Sequence, residues 1–282
     1  MLSIHKNKGE STMTIQQAID KIIAYHPPID ESNTCDFVKC GDPNAELTGI
    51  VTTCCASVDV VRQAIALGAN LIVCHEPTFY THMDDHSWLQ GKNRVFDEKL
   101  QLCEENGIVI WRDHDHIHAH RPDGIRYGVM KELGWEEYLI GDPNEPDYFC
   151  LPETTVRELA LYLKEKVGLN AVRMIGDPES IVRNVKMCWH ILPGDPLETE
   201  AVKLLERDDV DVLMPGEMID WTAACFARDA VQLGKNKAII QLGHINYEEL
   251  GMKYAAVWLR ELFGGAVPVQ FVRSADLYNY VY

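Results

Sequence analysis

The segment Leu71-Ile-Val-Cys-His75-Glu76-Pro-Thr-Phe-Tyr80 decides the fold class of this chain. Its apolar residues predict a buried strand, which leads directly into two side chains that can bind a metal ion. The preceding residues 57–68 predict a helix, with Ser57 as the N-cap and Gly68 as the stop. A helix followed by a buried strand is typical of an open α/β sheet, in which ligands bind at the carboxyl ends of parallel strands. We therefore expect chemistry at His75 and Glu76.

Length and composition indicate a soluble globular protein. The 282 residues are enough for one large or two moderate α/β units, and 46% hydrophobic with 24% charged residues is ordinary for that class. No apolar stretch approaches the length needed to cross a bilayer, so membrane insertion is not expected. The first residues, 1–12, are polar and without periodicity, and they predict a disordered arm.

Net charge and cysteine content indicate the kinds of partner and the cellular compartment to expect. The formal charge of −17 argues against nucleic-acid binding, because phosphate neutralisation needs clusters of Lys and Arg. The charge would suit divalent cations, although plain solubility is the simpler explanation. Nine cysteines, an odd number without CxxC pairs or a secretory leader, favour a reducing cytoplasm over a disulfide framework.

Helices and strands alternate along the remainder of the chain, which predicts two α/β halves at 13–140 and 141–282. Capping boxes that begin at Thr14 and Thr155 mark a helix start in each half. Residues 30–46 are polar and rich in turn formers, and they predict a loop. Asn246 is a candidate N-cap for the last helix. Further strands are predicted at 49–54, 108–112, 171–175, 182–192, 210–214, 237–242 and 267–272.

Three predicted strand ends carry histidine or glutamate: His75 with Glu76, the run 114–120, and His244 with Glu248. Imidazole and carboxylate groups suit zinc, iron and manganese when rigid elements position them. His244 and Glu248 are four residues apart at a predicted helix start, so both side chains can reach one point. The same spacing also fits an exposed helix start without a ligand. The presence of histidine or glutamate at all three predicted strand ends favours a metal site.

The run at 113–120, Asp-His-Asp-His-Ile-His-Ala-His, is the densest group of titratable side chains in the sequence. In an extended conformation, His114, His116, His118 and His120 would all lie on one side of the backbone. A polar surface loop is the alternative. Four imidazoles out of eleven in the whole chain are nevertheless hard to explain by solvation alone.

These segments occur in the order found in the Nif-three-like family, often called GTP cyclohydrolase type-two homologues, which the chain resembles from Met13 onward. The matching stretches are 51–80, 114–128, 210–217 and 243–248. The family's strand that ends in two histidines and a proline corresponds to His75, Glu76 and Pro77, so glutamate stands where the second histidine is usual. A family aspartate after the preceding strand falls on Cys55.

Two other family motifs correspond to residues later in the sequence. The family's aspartate four residues after a histidine falls on His118, four residues after His114, so histidine stands where aspartate is usual. The Gly-Glu turn of the family matches Glu217 and the glycine before it. The closing Gly-His-x-x-x-Glu motif matches His244 and Glu248 without departure, and it is the most specific of the matches.

The resemblance implies an α/β fold of two similar halves, with mixed sheets packed around a central metal-binding cleft. It also implies two divalent metal ions, for which zinc, iron and manganese are the candidates. His114 and Glu217 are expected beside the ligands, as alternates or as groups that orient them. The ligands that the resemblance assigns are His75, Glu76, His118, His244 and Glu248.

Members of the family resembled commonly form toroidal hexamers, so we expect a homo-oligomer. For activity, the resemblance favours metal-dependent hydrolysis of a nucleotide or another phosphorylated or cyclic small molecule. The family's common name is weak support for GTP, and the sequence contains no GxxxxGK[ST] phosphate loop. The alternative is a protein that binds metal without turnover, as a metal chaperone, a store or a scaffold.

Overall fold

Two mixed sheets of five strands each form the framework of the part of the chain that the structure describes. The computed structural model describes residues 13–194 and 196–281, and the predicted disordered arm at 1–12 lies outside the described residues. Each sheet has a parallel centre and an antiparallel strand on at least one edge. The predicted α/β class with mixed sheets is confirmed.

The first sheet has the strand order β1-β4-β3-β2-β10. Its centre consists of β2 (Ile50–Thr53), β3 (Leu71–Cys74) and β4 (Val109–Arg112), which run parallel. At the edges, β1 (Val38–Cys40) pairs antiparallel with β4, and β10 (Val269–Phe271) pairs parallel with β2. Every residue of β2, β3 and β4 is buried, which explains why their sequences are almost continuously apolar.

The second sheet repeats this plan in the order β5-β7-β8-β9-β6. Its parallel strands are β7 (Ile181–Ile191), β8 (Val212–Met218) and β9 (Ala238–Gln241). The edges are β5 (Tyr148–Thr155) and β6 (Arg173–Ile175), both antiparallel to their neighbours. The three central strands of each sheet therefore lie away from the sheet edges.

Helices cover both faces of each sheet. The helices of the described residues are α1 (Ile15–Ile23), α2 (Val58–Ala66), α3 (Arg94–Glu105), α4 (Asp115–Ala119), α5 (Gly124–Leu133), α6 (Val156–Val167), α7 (Leu197–Glu206), α8 (Ala223–Gln232) and α9 (His244–Leu262). The predicted capping boxes at Thr14 and Thr155 are both present, at the starts of α1 and α6. No helix in the described ranges combines the length and the apolar character that crossing a membrane requires.

One hydrophobic core joins both sheets, because α1, α5, α6 and α9 lie between them and bury residues against each. Helices α2 and α3 pack on the outer face of the first sheet, and α7 and α8 pack on the outer face of the second. Successive side chains of β3 point to opposite faces of the sheet and show this division. Leu71 and Val73 face the central helices, while Ile72 faces outward. The molecule is thus built in alternating layers of helix and sheet.

Helices α5 and α9 approach each other closely in the central layer. A Cβ atom on Gly128 would lie 2.8 Å from the Cα of Gly251, and a Cβ on Gly251 would lie 2.8 Å from the Cα of Ile125. Glycine is therefore required for this backbone approach. The contact fixes the position of α9, whose first turn carries His244 and Glu248.

Some local predictions differ from the structure. The loop predicted at 30–46 is wrong in part, because it contains β1, whose central Lys39 is buried and lies 3.1 Å from the Asp84 carboxylate. Strand β5 has no counterpart among the predicted strands. Strand β10 belongs to the predicted second half but pairs with β2 of the first sheet, so the boundary at residue 140 does not separate the sheets completely.

Candidate metal centre

Strand ends of both sheets surround one cavity of about 760 Å³, as expected for a ligand site in an α/β protein. The backbone N–H groups of His75 and Glu76 donate to the carbonyl of Cys54 at 3.0 and 2.8 Å, which holds the end of β3 against the residue after β2. The cavity wall includes Cys55, Glu76, Arg173, Glu217, Gln241, His244, Asn246 and Tyr278.

His75 is fully buried, and its two ring nitrogens have different surroundings. Nδ1 lies 3.0 Å from the backbone carbonyl oxygen of Asp113, to which it can donate a proton. Nε2 lies 3.4 Å from Oε2 of Glu248, and no residue that the structure describes forms a hydrogen bond with it. An imidazole held through Nδ1–H, with Nε2 free, has the orientation that metal-binding histidines show.

The first turn of α9 brings His244 and Glu248 together as the sequence predicts. Nε2 of His244 lies 2.9 Å from Oε2 of Glu248. The predicted N-cap role of Asn246 is wrong, because the helix begins earlier, at His244. The reason is Gly243, whose φ of +92° turns the chain from β9 into the helix in a conformation that favours glycine.

Two further carboxylates approach His244 from the strand ends. Oε1 of Glu76 lies 3.0 Å from Nε2 of His244, and Oε2 of Glu217 lies 3.5 Å from its Nδ1. The guanidinium of Arg112 lies 3.5 Å from the other oxygen of Glu76. Burial opposes the charged form of Glu76, but His244 and the charge of His75 hold the pKa of this carboxyl below its usual value. Glu76 therefore faces the site as a carboxylate.

The histidine run at 114–120 is not extended, because Asp115–Ala119 form helix α4. The backbone N–H groups of His114 and His116 both donate to the Asp36 carboxylate at 2.8 Å, which stabilises the start of this turn. The extended conformation that would place all four histidines on one side is therefore not the one adopted. The helical turn divides them into two pairs that face different parts of the molecule.

The first pair, His114 and His118, faces His75. The ring centroids of these two histidines lie 4.6 and 4.9 Å from that of His75. Nδ1 of His118 lies 2.9 Å from Oδ2 of Asp123, which orients the ring and leaves Nε2 free for a ligand. Burial and the neighbouring charges of His75 and His118 lower the pKa of His114 to about 4, so this imidazole is neutral at pH 7.

Sequence reasoning assigns no role to His190, which also borders the site. It lies near the end of β7, and its ring centroid is 4.2 Å from that of His244. Its buried Nδ1 lies 3.9 Å from Oε2 of Glu217 and has no hydrogen-bond partner in the described ranges of the chain. Burial lowers the pKa of His190, which favours the neutral form. Its position at the end of a predicted strand is the only signal that the sequence offered.

Donor atoms within 4.8 Å of one another form groups around this point, and each group could hold a metal ion. Glu248 belongs to more than one of them, and its buried Oε2 has no aligned hydrogen-bond partner among the described residues, although His75 and His244 are near. Close donors that face one point without aligned hydrogen bonds fit a divalent ion, since two ligands about 2.1 Å from one ion at a right angle lie about 3 Å apart. The groups are His75/His114/His118, His75/Glu76/Glu248 and His190/His244/Glu248.

The electrostatic field of the site also favours a cation. Burial would lower the pKa of the His75 and His244 imidazoles. The neighbouring carboxylates nevertheless raise the pKa of His75 to about 9 and that of His244 to about 11. Burial opposes ionisation of Glu248, but His244 and His75 hold its pKa well below the usual value. Surroundings that stabilise two imidazolium ions will also stabilise divalent cations in their place.

Comparisons with known proteins identify relatives of this chain. A "GTP cyclohydrolase 1 type 2 homolog" from Clostridium perfringens is 22% identical over 216 residues, which are 74% of this chain and 76% of the relative. A protein of the same name from Bacillus subtilis is 35% identical over 101 residues, which are 36% of this chain and 23% of the relative. The similarity therefore extends over most of one relative and about a quarter of the other.

Solved structures share the whole fold. Staphylococcus aureus hypothetical protein SA1388 superposes with a TM-score of 0.71 at 17% identity, covering 96% of this chain and 100% of that one. A Bacillus cereus protein related to NIF3 superposes with a TM-score of 0.68 at 14% identity, covering 97% and 100%. The family model described as Duf34/NIF3 (NGG1p interacting factor 3) matches residues 13–276. The chain therefore belongs to the Duf34/NIF3 family.

Proposed function

We propose that the protein binds two divalent transition-metal ions, one on each side of Glu248. The observation that carries this proposal is the position of Oε2 of Glu248, which is buried 3.4 Å from Nε2 of His75 and 2.9 Å from Nε2 of His244. A carboxylate between two imidazoles suits a ligand shared by two ions. The proposed ligands are His75, His118 and Glu248 for one ion, and His244, Glu76 and Glu248 for the other.

The surrounding residues support these ligands in fixed orientations. The carbonyl of Asp113 holds His75 through Nδ1, and the carboxylate of Asp123 holds His118 in the same way. The Arg112 Nε donates to the carbonyl of His75 at 2.8 Å, which fixes the backbone at the end of β3. Such contacts raise ligand basicity and reduce the entropy lost when an ion binds. His114, His190 and Glu217 are the alternate ligands.

We propose hydrolysis of a nucleotide or another phosphorylated or cyclic small molecule as the reaction. A pair of bound ions supplies an activated water and stabilises negative charge on a phosphate or ring carbonyl. The cavity of about 760 Å³ beside Glu76 and His244 is large enough for a small-molecule substrate. Arg173 on its wall offers a guanidinium to an anionic group.

The second candidate function is metal binding without turnover, as a chaperone, store or scaffold. The surplus of donor side chains favours it, because His114, His190 and Glu217 adjoin the proposed ligands and could complete the coordination of both ions. A catalytic ion instead keeps an open position for water or substrate. The two functions therefore differ in turnover and not in metal content.

Turnover assays on metal-loaded protein separate the two candidates. We expect hydrolysis of at least one member of a panel of nucleoside triphosphates, cyclic nucleotides and p-nitrophenyl phosphate. Arg173→Gln should raise KM about tenfold with unchanged metal content, because a charged contact to the substrate is removed. Glu248→Ala should remove the metal of the dinuclear centre and abolish turnover. Metal-loaded protein that turns over no substrate of the panel would favour the chaperone, store or scaffold.

Assembly stays a prediction of the family resemblance, and a cytoplasmic location stays a prediction of the cysteine content. A homo-oligomer, and specifically a hexamer, is expected from the forms that members of the resembled family adopt. The free state of Cys35, Cys54, Cys74 and the other cysteines is compatible with the predicted reducing compartment. Light scattering on the purified protein measures its oligomeric state directly.

A further inference from the structure

A second group of histidines and carboxylates lies on the other side of helix α4 from the metal centre. It consists of His26 after α1, Asp36 before β1, Asp113 after β4 and His116 within α4, and we call it the buried cluster. All four residues are buried. Donor atoms of Asp36, Asp113 and His116 lie within 4.8 Å of one another. The proposed dinuclear centre uses none of these side chains.

The Asp113 carboxylate indicates that the buried cluster needs a cation. Asp113 is fully buried, and neither of its carboxylate oxygens has a hydrogen-bond partner in the part of the chain that the structure describes. Nε2 of His26 lies 3.4 Å from Oδ2 of Asp113 and has no hydrogen-bond partner within residues 13–194 and 196–281. Among the described residues, the ion pairs of Asp113 and Asp36 involve only histidines. A buried carboxylate without hydrogen bonds is costly, so positive charge in this space would stabilise the fold.

Both imidazoles of the buried cluster are held through their outer nitrogens. Nε2 of His116 lies 3.1 Å from the Glu31 carboxylate, so Nδ1 of His116 faces the cluster. Nδ1 of His26 lies 3.3 Å from Nδ1 of His120, so Nε2 of His26 faces the cluster. Metal-binding histidines characteristically have one nitrogen fixed by such a partner and the other directed at the ion.

The Asp36 carboxylate is held rigidly beside these imidazoles. The backbone N–H groups of His114 and His116 donate to its two oxygens at 2.8 Å, and Nδ1 of His116 also lies 2.8 Å from Oδ2. Two donor atoms about 3 Å apart are at the distance expected for neighbouring ligands of one ion. The backbone contacts position this carboxylate without any ion being present.

We propose that the buried cluster binds one further divalent transition-metal ion, zinc in first place, through His26, Asp36, Asp113 and His116. Two imidazoles and two carboxylates are ligands that zinc accepts, and the two negative charges neutralise one divalent ion. Four protein ligands leave no open position, so this ion has a structural role. Two histidine–aspartate ion pairs are the alternative, but they would leave Oδ1 of Asp113 without a partner.

The buried cluster is connected to the dinuclear centre through a single residue. Asp113 directs its side chain into the cluster, while its backbone carbonyl accepts from Nδ1 of His75. An ion in the cluster would therefore stabilise the backbone that orients His75. Because contacts of this kind affect metal affinity, we expect loss of the buried ion to weaken zinc binding at the dinuclear centre about tenfold.

Zinc content of the Glu248→Ala variant tests the proposal independently of the dinuclear centre. In this background, which disables the shared ligand, the protein loaded with zinc and desalted should retain about one zinc ion per chain. Adding Asp113→Asn, which keeps the backbone carbonyl and the side-chain shape, should remove that ion. His26→Gln removes a different ligand and should lower the retained zinc in the same way. Retention of the same zinc in both double variants would overturn the proposal.

The sign of the stability change gives a second readout. With zinc, Asp113→Asn in the otherwise unchanged protein should lower the melting temperature, because a ligand is lost. After chelation it should melt at the same or a higher temperature than the chelated unsubstituted chain, because an unpartnered buried charge is gone. Asp208→Asn is the matched control, since its side chain is exposed, and it should change neither zinc content nor melting temperature. A lower melting temperature of Asp113→Asn after chelation would support the histidine–aspartate ion pairs instead.

Discussion

Glu248 is the residue on which the proposed dinuclear centre depends. Its carboxylate is buried between His75 and His244, and this arrangement is stable only with positive charge on both sides. Without metal, the imidazoles carry that charge as protons, as their raised pKa values show. With metal, the ions carry it and the imidazoles are neutral. Protons and metal ions therefore compete for the same nitrogens.

Metal binding should consequently release protons. The pKa of His75 is raised to about 9 and that of His244 to about 11, so both imidazoles are protonated in the metal-free protein at pH 7. Coordination requires the neutral ring, and binding at pH 7 should release about two protons per chain. Affinity should rise with pH, more steeply below about pH 9, where both imidazoles must lose a proton, than between about pH 9 and 11, where only His244 must. Titration calorimetry in buffers of different ionisation enthalpy measures the number of protons released.

The His244→Ala variant is the control for this measurement, because it removes one of the two imidazoles. Any binding that it retains should release about one proton fewer at pH 7. Metal binding without proton release in the unsubstituted chain would show that the two imidazoles are already neutral, contrary to the field described for the site.

Helix α4 shows why local sequence patterns could not predict the whole site. The alternation in 114–120 fits a strand, but Asp36 stabilises a helical turn from almost eighty positions earlier in the chain. The turn sends His114 and His118 to one site and His116 and His120 to another. By contrast, the pairing of His244 with Glu248 depends only on i,i+4 geometry, and the sequence predicted it correctly.

The contact between α5 and α9 should be sensitive to a single methyl group. Gly251→Ala places a Cβ 2.8 Å from the Cα of Ile125, and overpacking of this kind should lower the free energy of unfolding by about 1–3 kcal/mol. Urea denaturation with an unchanged m-value measures the loss. Glu261→Ala, at an exposed position of the same helix, should change stability by less than about 0.5 kcal/mol. Equal stability of Gly251→Ala and the unsubstituted chain would mean that the two helices pack less closely.

At the scale of the whole molecule, two similar sheets contribute strand ends to one cavity. The central strands β2, β3 and β4 were predictable because they are continuously apolar, and the alternation of helix with strand indicated the α/β class. Strands β1 and β10 were harder to place, since each joins the first sheet through partners distant in sequence. His190 escaped prediction for the same reason, because only the folded sheets bring it to His244.

Metal content of the purified protein tests the central claim most directly. Elemental analysis of chain purified without chelator should show about two more divalent ions per chain than the Glu248→Ala variant, which should remain folded by circular dichroism. Glu261→Ala, exposed on the same helix, is the control and should retain the full metal content. Folded Glu248→Ala protein with the metal content of the unsubstituted chain would contradict a dinuclear centre shared through this carboxylate.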